Sequence, residues 1–321
     1  MGENLIGTAS GIASGIKVTD VAFVRFRAPD LDLMEQFLTD FGLHRSERTE
    51  TALYMRGAGD EGFVHVTELG DEPEFIGMAF DAASIDDLEV LAGRSDFSDI
   101  SELDGPGGGG MVSATDPNGF QVEVVAGRRS VGTLESVPQL EHNDAAHRPR
   151  RDTTIRLVAG PSHVQRLGHV VINVIDFRES EAWYKERFGL ITSDEIAIDE
   201  TRSLGAFMRC DRGPIHVDHH TLFCVGRGAA GFNHAAFEVA DLDDLMAGHT
   251  HLQNAAREHQ WGVGRHILGS QIYDYWRDPY GHMIEHWTDG DLFDSDVEPN
   301  VVGVPDLLGS QWGPMLGGPP G

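Results

Sequence analysis

An internal repeat limits the fold of this chain more than any other feature. Residues 18–43 read VTDVAFVRFRAPDLDLMEQFLTDFGL, and residues 166–190 read RLGHVVINVIDFRESEAWYKERFGL. Each is an alternating apolar strand, an Asp-containing turn, an amphipathic helix and a closing Phe-Gly-Leu. A second pair follows, 75–88 (FIGMAFDAASIDDL) matching 232–245 (FNHAAFEVADLDDL). Here too a strand leads into a helix, with acidic residues in the first turn, where the helix dipole favours them. Each half then passes through Asp-Pro-x-Gly, at 116–119 and 278–281, a tight turn into a last strand holding Glu123 or Glu285. The chain therefore reads as a tandem of two halves, each built of two strand-helix-strand-strand-strand modules.

This divides the chain into an N-terminal extension (1–16), a first module pair (17–128), a linker (129–164), a second module pair (165–290) and a tail (291–321). The linker is polar, carries Arg148, Arg150 and Arg151 beside Pro149, and shows no sustained period. From about residue 303 the tail, ending GPMLGGPPG, is expected to lack regular structure. The GPGGGG run at 105–110 lacks the Lys-Ser/Thr and the helix of a phosphate loop, and reads as a flexible hairpin connection.

Composition narrows the partners. Lys and Arg total 24 against 52 Asp and Glu, a formal charge of -28, which argues against a nucleic acid or an anionic membrane as partner. Cys210 and Cys224 are too few for a disulfide framework and read as two partly buried thiols in a reducing cytoplasm. The opening MGENLIGTASGIASG lacks the basic start and apolar stretch of a secretory signal, and no apolar run is long enough to span a bilayer, so a cytoplasmic location is expected. Met1-Gly2, without other supporting features, reads as an ordinary chain start rather than a lipidation signal.

The two halves differ where chemistry could reside. The second has His169 in its opening strand where the first is read to have Asp20, and His234 where the first has Gly77; Glu123 and Glu285 recur in both. On a shared backbone, only the second half presents two imidazoles and a carboxylate from three separate strands. Such a set on one face of a metal leaves the other face open, the arrangement expected for non-haem Fe(II), and it also accepts Mn(II) or Zn(II). Pleating points Glu285 and His286 to opposite faces, and the repeat with Glu123 selects Glu285. Any single histidine among 16 is ordinarily structural; equivalent placement in successive strands singles out His169 and His234.

Three stretches also resemble a known family: Leu-Gly-His at 167–169, Phe-Asn-His at 232–234, and the block GRHILGSQIYDYWRDPYGHMIE from Gly264 to Glu285. In that block Arg265-His266, Tyr275, Asp278-Pro279-Tyr280-Gly281 and Glu285 fall in the family's order. On these residues the chain resembles the type I extradiol ring-cleavage dioxygenases of the vicinal oxygen chelate superfamily, over roughly 17–290. The resemblance implies an α+β fold of tandem βαβββ modules, four copies in two domains, each domain a curved mixed sheet wrapping a pocket, with helices outside. It implies a metal-free first half, and His169, His234 and Glu285 as ligands of Fe(II), with Mn(II) the alternative.

It further implies an acid-base role for His220, in the Asp-His-His-Thr-Leu stretch at 218–222, with His219 turned away as a surface residue or one step removed. His266 and Tyr275 would hydrogen-bond the substrate region. The partners implied are a catechol-type aromatic diol, of one ring or two, and O2; no organic cofactor is implied, and self-association into a homo-oligomer is. Phe207, Met208, Phe223 and Trp276 are the expected pocket walls. Glyoxalase-type isomerases and transferases of the same superfamily form the rival reading, and a metal-free binding protein fits the first half only.

Overall fold

A computed structural model of the chain describes residues 15–134 and 141–314. The extension up to residue 14, with Met1-Gly2, and the end of GPMLGGPPG from residue 315 lie outside the described residues. The first module is β1 (Val18–Ala28), α1 (Leu31–Asp40), β2 (His44–Arg48), β3 (Ala52–Arg56) and β4 (His65–Leu69). The second is β5 (Glu74–Ala82), α2 (Ile85–Ala92), β6 (Ser101–Glu102), β7 (Gly110–Thr115) and β8 (Gln121–Ala126). The third is β9 (Val164–Val174), α3 (Phe177–Phe188), β10 (Ile191–Ala197), β11 (Ser203–Arg209), a short β12 (Val217–Asp218) and β13 (Leu222–Gly226). The fourth is β14 (Gly231–Val239), α4 (Leu242–Asn254), β15 (Glu258–His266), β16 (Ile272–Arg277) and β17 (Met283–Thr288). The βαβββ repeat is thus present four times.

Local chemistry sets these boundaries. The helices begin at Asp30, Ser84, Asp176 and Asp241, whose side chains accept backbone N–H groups of the first turn. In both Asp-Pro-x-Gly turns the Gly N–H donates to the Asp carbonyl, with Gly119 and Gly281 at φ 93° and 87°. GPGGGG joins β6 to β7 as a hairpin connection.

The first module pair forms a mixed sheet in the order β2-β3-β4-β1-β5-β8-β7-β6. The second sheet runs β19-β10-β11-β13-β9-β14-β17-β16-β15-β20, with β19 (Asn300–Gly303) and β20 (Ser310–Trp312) supplied by the tail. In each sheet the opening strands of paired modules, β1 with β5 and β9 with β14, pair antiparallel at the centre. Helices pack across the halves: Phe41, just after α1, stacks on His286 of β17, and Phe188 of α3 meets Phe80 of β5. One apolar core therefore unites both halves.

The registers correct one expectation. Phe23, not Asp20, occupies the place of His169: Phe23, Ala79 and Glu123 are cross-strand neighbours just as His169, Ala236 and Glu285 are. Register shifts in β1 beside Asp20 and Phe23 displace the alignment that the residue letters suggest. Asp20 instead faces Arg166 at 3.4 Å. In the first half, the guanidinium of Arg25 lies 3.0 Å from Glu123, neutralising the carboxylate whose counterpart in the second half is Glu285. Arg25→Met strands the buried Glu123 charge and is expected to cost about 3 kcal/mol in a urea titration. Adding Glu123→Gln should recover part of that loss.

The tail also departs from expectation. Residues 300–312 form β19, parallel to β10, then α5 (Val304–Leu308), then β20, antiparallel to β15. Val302, Val304 and Leu307 pack on a cluster that includes Val171, Phe207 and Phe223. The Gly/Pro-rich composition belongs to the last residues; the stretch before them has apolar side chains enough to dock. Among the described residues, 129–134 and 141–163 form no helix or strand, and Val131 and Leu134 donate to the carbonyls of Asp60 and Ala58. Cys210 and Cys224 are buried, which pushes both thiols up. No helix among the described residues is long and apolar enough to cross a membrane.

Candidate metal centre

Three adjacent strands bring the predicted ligands together. Ala236 of β14 pairs with His169 of β9 on one side and with Glu285 of β17 on the other, while His234 stands two residues back on the same pleat. His169 Nε2 lies 3.4 Å and His234 Nε2 3.3 Å from the same Glu285 oxygen, and one candidate donor atom from each residue lies within 4.8 Å of the others. Donors about 2.1 Å from a divalent metal at right angles stand ~3 Å apart, so the spacing suits an ion. Both carboxylate oxygens of Glu285 are buried without a hydrogen-bond partner, which a cation would supply. Residues and donor chemistry therefore fit a divalent metal.

Electrostatics agree with neutral imidazoles around an anion. Burial opposes ionisation of Glu285, but His169 and His266 outweigh it and hold its carboxyl well below the usual range. Burial, partly offset by Glu285, lowers His234 to about 3, leaving its ring unprotonated as a ligand must be. Asn233 Oδ1 accepts from His234 Nδ1–H at 2.9 Å and fixes the ring with Nε2 toward Glu285. His286 faces away, its Nε2 donating to the Phe41 carbonyl at 2.6 Å, as pleating requires.

His169 and His234 of the cluster line a cavity of about 810 Å³, part of it open to solvent. Seven strands of the second sheet, β9, β11 and β13 to β17, contribute to its walls, so the sheet curves around it. Phe207 and Phe223 stack at 3.9 Å and line it, but Met208 and Trp276 do not: the pleat turns them into the opposite core. The expectation for those two side chains is corrected accordingly. Trp261, Leu268 and the tail residues Leu307 and Leu308 complete the wall; only the three-dimensional path of the tail brings the last two there.

His220, His266 and Tyr275 all line the same cavity. His220 is buried with its ring centroid 4.1 Å from that of His169, and burial, then the surrounding imidazoles, push its pKa well down. His266 Nε2 and the Tyr275 hydroxyl are 3.0 Å apart, and burial, then Glu285, push the phenol well up.

Residues 166–286 match the model of the Glyoxalase/Bleomycin resistance protein/Dioxygenase superfamily. Residues 166–286 therefore carry a domain of that superfamily. Among curated relatives, Metapyrocatechase 2 of Cupriavidus necator is 29% identical over 293 residues, covering 89% of this chain and 86% of the relative. A 1,2-dihydroxynaphthalene dioxygenase of Sphingobium xenophagum is 24% identical over 220 residues, 68% of this chain and 65% of the relative. Among solved structures, the Mn(II)-bound glyoxalase from Novosphingobium aromaticivorans has a TM-score of 0.77 at 23% identity, covering 94% of this chain and 93% of its own. An anaerobic substrate complex of homoprotocatechuate 2,3-dioxygenase from Brevibacterium fuscum has a TM-score of 0.74 at 19% identity, with 93% and 89% covered. At these identities the two structures establish the shared fold.

His219 is not a surface residue. It is 1% exposed, and its Nε2 lies 2.7 Å from Asp194 Oδ2 while its Nδ1 lies 3.1 Å from Nδ1 of His220. An ionised Asp194 accepts from His219 Nε2–H, which makes His219 Nδ1 an acceptor for His220 Nδ1–H. That chain leaves the lone pair of His220 on Nε2. The adjacent His-His pair alone does not reveal this, because Asp194 comes from β10, 25 residues away in sequence. Asp194→Asn removes the anionic acceptor. It is expected to lower kcat about tenfold to a hundredfold with metal content and KM little changed; an unaltered kcat would remove Asp194 from the chain.

Proposed function

We propose that the protein is an Fe(II)-dependent extradiol dioxygenase that opens a catechol-type ring beside its diol and incorporates both atoms of O2. Mn(II) is the other metal the donor set admits. The observation that carries this reading is the open-faced His169, His234 and Glu285 set beside a buried His220 whose Nδ1 is paired with His219, at one aromatic-walled cavity. The two curated relatives, named for ring-cleaving activity, support it. When bound, a ferrous ion at this set supplies adjacent positions for diol and O2 and a spin-permitted electron route between them.

The chain's own groups do the rest. His220 Nε2 takes the proton that the diol releases and returns it to an oxygen as the ring opens. Tyr275, kept protonated by burial, donates a hydrogen bond to a substrate oxygen, and His266 orients that hydroxyl. Phe207, Phe223 and Val171 give the ring an apolar wall and exclude water.

The test is anaerobic reconstitution with Fe(II), then assay against catechol and 2,3-dihydroxybiphenyl. A yellow ring-fission product with one O2 consumed per diol is expected. Absence of O2 uptake with iron bound would overturn the reading and favour isomerase or transferase chemistry.

A further inference from the structure

A second group of metal-ligand side chains converges on Asp274, outside the cavity. Pleating places Asp274 and Trp276 on the face of β16 opposite Tyr275, toward α4. The Asp274 side chain is 0% exposed; His249 of α4 puts Nδ1 3.0 Å from its Oδ2, and His259 of β15 puts Nε2 2.8 Å from its Oδ1. Trp276 donates Nε1–H to Oδ2 at 2.6 Å. Candidate donor atoms of the three residues lie within 4.8 Å of one another.

A fully buried carboxylate needs hydrogen-bond donors or a compensating cation. Among the described residues, the ion pairs of Asp274 are with these two imidazoles and not with Lys or Arg. One further feature suits an ion. The side chains of His249 and His259 are 14% and 30% exposed, which gives an ion a route from solvent.

We propose that His249, His259 and Asp274 form a second divalent-cation site, of the Zn(II) class, on the outer face of the sheet that carries the first. Two imidazole nitrogens and one carboxylate oxygen, with a remaining position for water, are a zinc-type donor set. Small side-chain rotations bring the donors to the ~3.3 Å edges of a tetrahedron with zinc-like bond lengths. Trp276 holds Oδ2 and so leaves Oδ1 for the ion. The ion would pin α4 to β15 and β16, the strands that carry His266 and Tyr275. This site stands independently of the dioxygenase reading.

The test uses full-length protein stripped with chelator, dialysed against Zn(II), and analysed for metal per chain. Wild type should hold two ions, His234→Ala one, and His234→Ala with His259→Ala none. In the His234→Ala background, Co(II) should give a visible ligand-field band that His259→Ala removes, and Zn(II) should raise the melting temperature. Where His259→Ala does not fold, His249→Gln serves, since its amide still donates to Asp274 but no longer offers an imidazole; it should lose the ion with the fold intact. A folded His234→Ala chain that binds no Zn(II), or one whose binding survives both second-site substitutions, would overturn the proposal.

Discussion

His234→Ala is expected to leave a folded chain that retains no iron between His169 and Glu285 and has no measurable turnover. The imidazole contributes one of three donors, and the two left, His169 and Glu285, do not define an open face. The lost ring also bares a carboxylate that is wholly buried and has no hydrogen-bond partner at either oxygen. Two-donor sites of this kind hold divalent ions weakly, because each missing ligand must be replaced by water in a cavity whose walls are apolar. Elemental analysis after anaerobic loading with Fe(II) reads the effect directly. Full iron occupancy in the purified variant would sink the ligand assignment, whatever happened to activity.

His220→Ala should separate binding from chemistry. Its ring touches that of His169 but contributes no donor to the metal set, so iron content and anaerobic diol binding should hold. Turnover should fall by about 10²- to 10⁴-fold, the range lost when a positioned proton-transfer group is removed. Single-turnover mixing of the loaded anaerobic diol complex with O2 measures this without a contribution from metal loss. Unchanged turnover would move the acid-base role to another residue, with His266 the next candidate by position.

Much of the fold was legible because it is encoded locally and repeated. Strand periodicity, capping residues such as Asp30 and Asp176, and two Asp-Pro-x-Gly turns each specify their own segment, and the repetition marks which segments correspond. The convergence of His169, His234 and Glu285 was legible for the same reason, since His234 and Glu285 occupy repeat positions, one filled differently in the other half. The alignment failed at Asp20 because strand letters do not show bulges. Counted from the helix caps, Phe23 and His169 stand at the same distance before Asp30 and Asp176. Met208 and Trp276 failed for a related reason: apolar neighbours on one strand alternate faces, and composition does not say which face is the cavity.

Short segments compared with one another thus specify the module, its number of copies and the three side chains that converge. Long-range pairing set the rest. It set Asp194 against His219 and thereby the free nitrogen of His220, docked residues 300–312 beside the cavity, and gathered His249 and His259 around Asp274. These contacts join strands and helices far apart in the chain. Their partners are chosen by sheet curvature and packing, which no local pattern of residues encodes.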